Sequence, residues 1–224
     1  QFDRAQDLAA YPRDLDRDLE LARSRGVDVV FAPEPEEIYP PAGAGITVDP
    51  GPLGDVLEGA ARPGHFRGVL TVVTTLFGIV RPQVALFGQK DFQQVALVQR
   101  LVEDLFLGVE ILVAPPVRES DGLALSSRNA LLTPEDRSRA PALHRGLSAA
   151  AAAFRAGERS RDRLLAAARE PIEADPGIRL EYVEVVGGRT LAVEDPVSPG
   201  AVISLAAYLG SVRLIDNRVL EAAS

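Results

Sequence analysis

The stretch VALFGQKDFQQVALVQRLVEDL, residues 84–105, reads as strand, turn and helix in succession. Val84–Phe87 is a short continuous apolar run, the pattern of a strand buried on both faces of a parallel sheet. Phe92, Val95, Val102 and Leu105 then recur on or near one face of a helix. Gly88, Gln89, Lys90 and Asp91 join the two elements. They lie beyond the carboxyl end of the strand, where open α/β sheets bind ligands and where a helix N-terminus favours phosphate. Lys90 is the only lysine among the 24 lysines and arginines of the chain. Lysine is a compact charge on a thin stem and arginine a planar fork, so a lone lysine at this turn marks a site where a fork does not fit.

The segments on either side repeat the alternation. Leu15, Leu19 and Ala22 have helical spacing, with Gly26 as a stop. VDVVFAP, 27–33, is an apolar run expected to form another doubly buried strand. Residues 33–64, rich in Pro and Gly, read as loop with short elements. Val69, Val72, Val73, Leu76, Phe77 and Val80 define a helix ending before Pro82, and VEILVAP, 109–115, reads as a third strand. Helices alternating with apolar strands make an α/β unit with a parallel sheet. The texture changes after VAPPVRE. Thr133, Pro134 and Asp136 form a helix start, Pro141 is expected to kink that helix, and SRDRLLAAAREPIEAD continues as another. Three strands with Gly-containing turns follow, around 178–193, 200–210 and 211–220. The chain is therefore expected to divide into an α/β domain, 1–116, and a smaller α+β domain, 117–224.

A net charge of −8 without a dense basic run argues against nucleic acid as the main partner. The absence of cysteine excludes disulfides, thiolate metal sites and cysteine nucleophiles. The lack of cysteine fits a cytosolic protein; no run approaches the length of a membrane span and no signal peptide is visible. The sequence contains no Met and opens as if within a protein, so a preceding segment is expected.

Three polar groupings could carry chemistry. Lys90 can neutralise a phosphate and Asp91 can bind ribose hydroxyls; the plainer reading is a solvated helix start. Gln93 and Gln94 are either surface residues or inward-facing donors to a carboxylate. Ser126, Ser127 and Arg128 place several donors in one loop, as a polyphosphate requires, although Ser-Ser-Arg is also common in ordinary loops. His65 is a general base or a helix-entry residue, and His144 reads as structural or exposed. Neither His forms a cluster with metal-ligand spacing.

Taken in order, YPR, VDVVFAP with IYP, PGHFRGVLTVV, FGQKDFQQ, RESDGLALSSRN and VRLIDN resemble the pantoate–β-alanine ligase (pantothenate synthetase) family along the whole chain. The resemblance implies a Rossmann-like nucleotidyltransferase fold and a cytoplasmic homodimer. It also implies a two-step reaction using ATP and Mg2+. Pantoate is adenylated with release of pyrophosphate, and the amine of β-alanine then displaces AMP. It places Gly88, Gln89, Lys90 and Asp91 in the ATP site with Lys90 near the phosphates, and Gln94 at pantoate. Val117, Leu125, Ser126, Ser127 and Arg128 would contact the nucleotide from the second domain, and Lys90, Ser126, Ser127 and Arg128 would carry catalysis. Gln1 matches the Gln of the family's Asn-Pro-x-Gln-Phe segment, which touches pantoate and β-alanine. Arg62 and His65 fall in its Arg-Pro-x-His-Phe segment with no role assigned. The usual Gly-Glu-Lys-Asp reads Gly-Gln-Lys-Asp here, Phe92 replaces Tyr and Leu125 replaces Met. The family's first strand, Pro-Thr-Met-Gly segment and His-x-Gly-His helix start have no counterpart after Gln1, so the chain alone is expected to lack part of the phosphate site. A catalytically idle nucleotide-binding remnant and an adenylating enzyme for another small acid are the alternative readings.

Overall fold

The structure, a computed structural model, describes residues 13–39 and 45–222. Gln1, with the Tyr-Pro of the YPR segment, lies outside them.

The first helix, α1 (Leu15–Ser24), begins where the Asp14 carboxylate accepts the Arg17 N–H at 3.0 Å. It ends before Gly26, whose positive φ of 75° suits a residue without a Cβ. Residues 27–33 depart from expectation. They pair with no strand among the described residues, and Val29 is 81% and Phe31 50% exposed. An apolar run is necessary for a buried strand but not sufficient, because its N–H and C=O groups also need a partner strand.

Short elements follow as expected: α2 (Pro35–Ile38), a 3-10 turn at Gly51–Gly54 and α3 (Glu58–Ala61). Helix α4 (His65–Val80) buries Phe66, Val69, Leu70 and Val73. Arg81 closes it in a left-handed conformation, donating its N–H to the Phe77 carbonyl at 2.9 Å, and Pro82 stops further winding. Strand β1 (Val84–Gly88), helix α5 (Phe92–Asp104) and strand β2 (Glu110–Ala114) form the anticipated β-α-β unit. The strands are parallel, with Val84 opposite Glu110 and Gly88 opposite Ala114.

Phe87 and Ile111 pack on the cluster that α4 and α5 build from Phe66, Val69, Leu97 and Leu101. The other sheet face is not buried: Leu86 is 70% and Leu112 45% exposed. The expectation of strands buried on both faces is thus corrected, among the described residues, to one covered face, the one on which the α4/α5 cluster packs.

The C-terminal half contains α6 (Pro134–Arg139), α7 (Pro141–Arg155), α8 (Arg161–Glu173) and an antiparallel sheet ordered β3 (Ile178–Val186), β4 (Val202–Leu209), β5 (Val212–Val219). Thr133 caps α6, accepting the Asp136 N–H at 3.1 Å. Pro141 divides α6 from α7, because a residue without an N–H is tolerated only in a first turn. Leu143, Leu147, Phe154, Leu164 and Ile172 of the helices meet Ile203, Leu205 and Leu209 of β4 in the largest core cluster. A smaller cluster joins the two halves: Phe92 and Ala96 of α5 pack with Val186, Leu191 and Val202. The end of β1 is thereby set against β5.

Candidate active site

Gly88 ends β1, and Gln89–Asp91 make one 3-10 turn before α5. Lys90 lines two adjoining clefts. In one it meets Arg62, His65, Asp91 and Gln94; in the other it meets Ser126, Arg128 and Asn129. A third cleft of about 340 Å³, lined by Arg62, Arg128, Tyr208 and Arg213, shares Arg62 with the first and Arg128 and Arg213 with the second. Residues 62, 65, 90, 94, 126 and 128, far apart in sequence, therefore line neighbouring clefts that share Lys90, Arg62 and Arg128 as walls. The Lys90 side chain is 21% exposed, with its ammonium 3.8 Å from the Asp91 carboxylate. The two Gln readings separate here. Gln93 is buried, donates to the Leu53 and Val56 carbonyls and accepts the Glu58 N–H, all at 2.9 Å. It pins the 53–58 segment to α5; both it and the less buried Gln94 line the cleft.

The second loop is ordered by its backbone. The Leu125 N–H donates to the Val117 carbonyl at 2.9 Å, Arg118 and Ala124 form a bridge, and the Glu119 N–H bonds the Leu123 carbonyl. This narrow hairpin turns at Gly122, where φ is 92° and a Cβ would come 2.2 Å from the His144 ring. It delivers Ser126 as cap of the 3-10 turn Ser127–Leu131, accepting the Arg128 N–H at 3.2 Å. Val117, Leu125 and Ser127 expose their side chains and do not line the three clefts. His144 also stands apart, on α7. Burial and then the neighbouring Arg118 hold its pKa below the ordinary imidazole value.

Sequence reasoning missed two buried polar groups beside these clefts. The Glu58 carboxylate accepts two bonds from the Arg213 guanidinium, at 2.7 and 2.8 Å, and one from the Tyr182 hydroxyl at 2.8 Å. Burial alone would raise the pKa of Glu58. The bonds and charge of Arg213, with the Tyr182 bond, outweigh it and hold the pKa below the usual value. Burial, then the Glu58 charge, pushes the Tyr182 phenol far up, so it remains a donor. In β5, Asp216 takes two bonds from Arg118, at 2.7 and 2.9 Å, and Asn217 bonds the turn that carries Lys90. The available signal was VRLIDNRV itself: Arg213, Asp216, Asn217 and Arg218 break up the apolar residues of this strand, and buried polar groups need partners.

Among the described residues no three His, Cys, Asp or Glu side chains converge as a metal cage. Mg2+ is commonly held by substrate phosphates with one or two carboxylates. Asp91, on the cleft beside Lys90, supplies one carboxylate of that kind, so the donor set fits an ion that arrives with a nucleotide.

A family model described as pantoate-beta-alanine ligase matches residues 1–219. The chain is 53% identical over 222 residues to the pantothenate synthetase of Roseiflexus sp. strain RS-1, covering 99% of this chain and 80% of that protein. It is 46% identical to the solved pantothenate synthetase of Thermus thermophilus, with a TM-score of 0.92, covering 99% of this chain and 80% of that one. The pantoate-beta-alanine ligase of Francisella tularensis, solved with beta-gamma ATP and β-alanine, is 34% identical with a TM-score of 0.74, over 97% of this chain and 74% of that one.

Proposed function

This chain belongs to the pantoate–β-alanine ligase family, and we propose from that membership and from the cleft around Lys90 that it condenses pantoate with β-alanine at the expense of ATP. The pantoate carboxylate attacks the α-phosphorus of ATP, and the bond to the bridging oxygen breaks with release of pyrophosphate. The β-alanine amine then attacks the acyl carbon of pantoyl-adenylate, loses a proton and expels AMP. Neither step requires a covalent bond to the protein, so catalysis rests on alignment and on charge placed where it develops.

The single observation that carries this reading is that Lys90 stands on the shared wall of two clefts, one lined by Gln94 and the other by Ser126 and Arg128. In our assignment Lys90 and Arg128 face the phosphates with Ser126, and Ser127 adds a donor when the turn meets ligand. Gly88, Gln89 and Asp91 border the nucleotide; Val117 and Leu125 contact it through the hairpin. Gln94 donates to pantoate. Gln1 belongs to the same proposal through its family segment. Mg2+, held by the phosphates with Asp91, would supply positive charge toward the leaving pyrophosphate. The division at 116/117, the homodimer and the cytoplasmic setting are further parts of this reading. No helix among the described residues is long and apolar enough to cross a membrane.

The test is product analysis with pantoate labelled in its carboxylate oxygens. AMP carrying one labelled oxygen, formed in step with pantothenate, is expected. Formation of ADP, or unlabelled AMP, would overturn the adenylate route.

A further inference from the structure

We propose that Asn217 is a positioning residue for this reaction: from β5 its side-chain amide clamps the backbone of Gln89 and Lys90 and so fixes where the Lys90 ammonium is presented. The inference rests on the reading of Lys90 given above. Asn217 is 2% exposed. Its Nδ2 donates to the Gln89 carbonyl at 2.9 Å and to the Lys90 carbonyl at 3.0 Å, and its Oδ1 accepts from Gln89 Nε2 at 3.3 Å. The orientation is forced. Two carbonyl oxygens can only accept, so they must face the NH2 of Asn217; its oxygen then needs a donor, which Gln89 provides.

The clamp is itself held from behind. The Asn217 N–H donates to Asp216 Oδ1 at 2.8 Å, and Arg118, bonded twice to Asp216, also reaches the Asn217 carbonyl at 3.4 Å. The turn it grips has no side-chain cap of its own. A buried carboxamide anchored in the C-terminal sheet thus replaces the missing local support. Removing it frees two carbonyls and lets the lysine-bearing turn relax. The charge of Lys90 survives, but its alignment does not, and misplacement of about 1 Å can cost on the order of 100-fold in rate.

The experiment combines kinetics with amide exchange in Asn217→Ala and Asn217→Ser, each alone and with Lys90→Ala. Asn217→Ala should lower kcat by about 30- to 100-fold while the KM values for pantoate and β-alanine change little. Asn217→Ser keeps one donor and should lose less. In the Lys90→Ala background neither change should cost anything further, because the clamp would have no ammonium left to align. Amide exchange should quicken over residues 88–92 and stay unchanged in α8. Unchanged kcat, equal losses in both backgrounds or unaltered exchange at 88–92 would each overturn the inference, as would failure of both variants to fold. Exchange needs no turnover: an unmutated protein that makes no pantothenate refutes the proposed function and leaves the clamp testable by exchange.

Discussion

Lys90 occupies the border of two clefts with its side chain largely covered, and its neighbours there include Arg62 and Arg128. Those arginines can supply planar forks; what Lys90 adds is a small charge at the tip of a slender stem. Lys90→Arg keeps the charge but widens the head inside a confined space. Turnover should fall at least about tenfold, approaching 100-fold if the phosphates shift by an ångström, with thermal stability nearly unchanged. Steady-state pantothenate formation beside a melting curve checks this, and near-normal kcat would show the lysine to be incidental. Lys90 was legible in the sequence because it is compositionally singular and sits after a strand. For Asn217 the polar residues of VRLIDNRV signalled only that partners were needed, and Glu58 carried no such signal. The side-chain partners of both lie more than a hundred residues away, and no local pattern names them.

At the scale of elements, the helices and the C-terminal strands could be read directly, since periodicity, Pro and Gly are local signals. Thr133 with Pro134 marked a helix start that the structure reproduces, while Pro141, expected to kink one helix, instead opens a second one. Residues 27–33 show where such reading ends, because strand pairing is decided by what lies alongside. The hairpin 117–125 is a case in which one glycine sets an element. Gly122 combines a φ of 92° with a ring carbon of His144 where a Cβ would stand. Gly122→Ala must strain the backbone and displace His144 together. Overpacking of this kind costs about 1–3 kcal/mol. The melting temperature should drop by several degrees, and the ATP KM should rise because Ser126 and Arg128 ride on the same loop. Thermal unfolding and ATP titration of rate measure the two effects. An unaltered melting temperature would mean that the hairpin yields without cost.

At the scale of the whole molecule, the two halves are joined by the small cluster around Phe92 and by ion pairs that cross the junction. The chief of these is Glu58 with Arg213, reinforced by Tyr182, with Glu181 as a second acceptor for Arg213 at 2.8 Å. The Glu58 side chain is 10% and the Arg213 side chain 13% exposed, so the pair is desolvated and removal of one charge leaves the other poorly matched. Breaking a buried pair costs about 3–5 kcal/mol. Glu58→Gln should cost less, about 2–3 kcal/mol, because Arg213 keeps Glu181 and the amide oxygen still accepts. For a chain of this size that corresponds to a fall in Tm of about 5–10 °C near neutral pH. The pH dependence has a definite sign. Glu58 has a folded pKa below its unfolded value of about 4.3. Its stabilisation is therefore complete above that value and disappears as pH falls through the lower, folded one. Between about pH 6 and 8 the gap between the unmutated protein and Glu58→Gln should stay constant. Below about pH 4 it should narrow, because Glu58 itself becomes neutral while Arg213 remains charged. Melting curves for both proteins across that range are the measurement; a gap that persists undiminished into acid would mean that the carboxylate charge is not what holds the halves together.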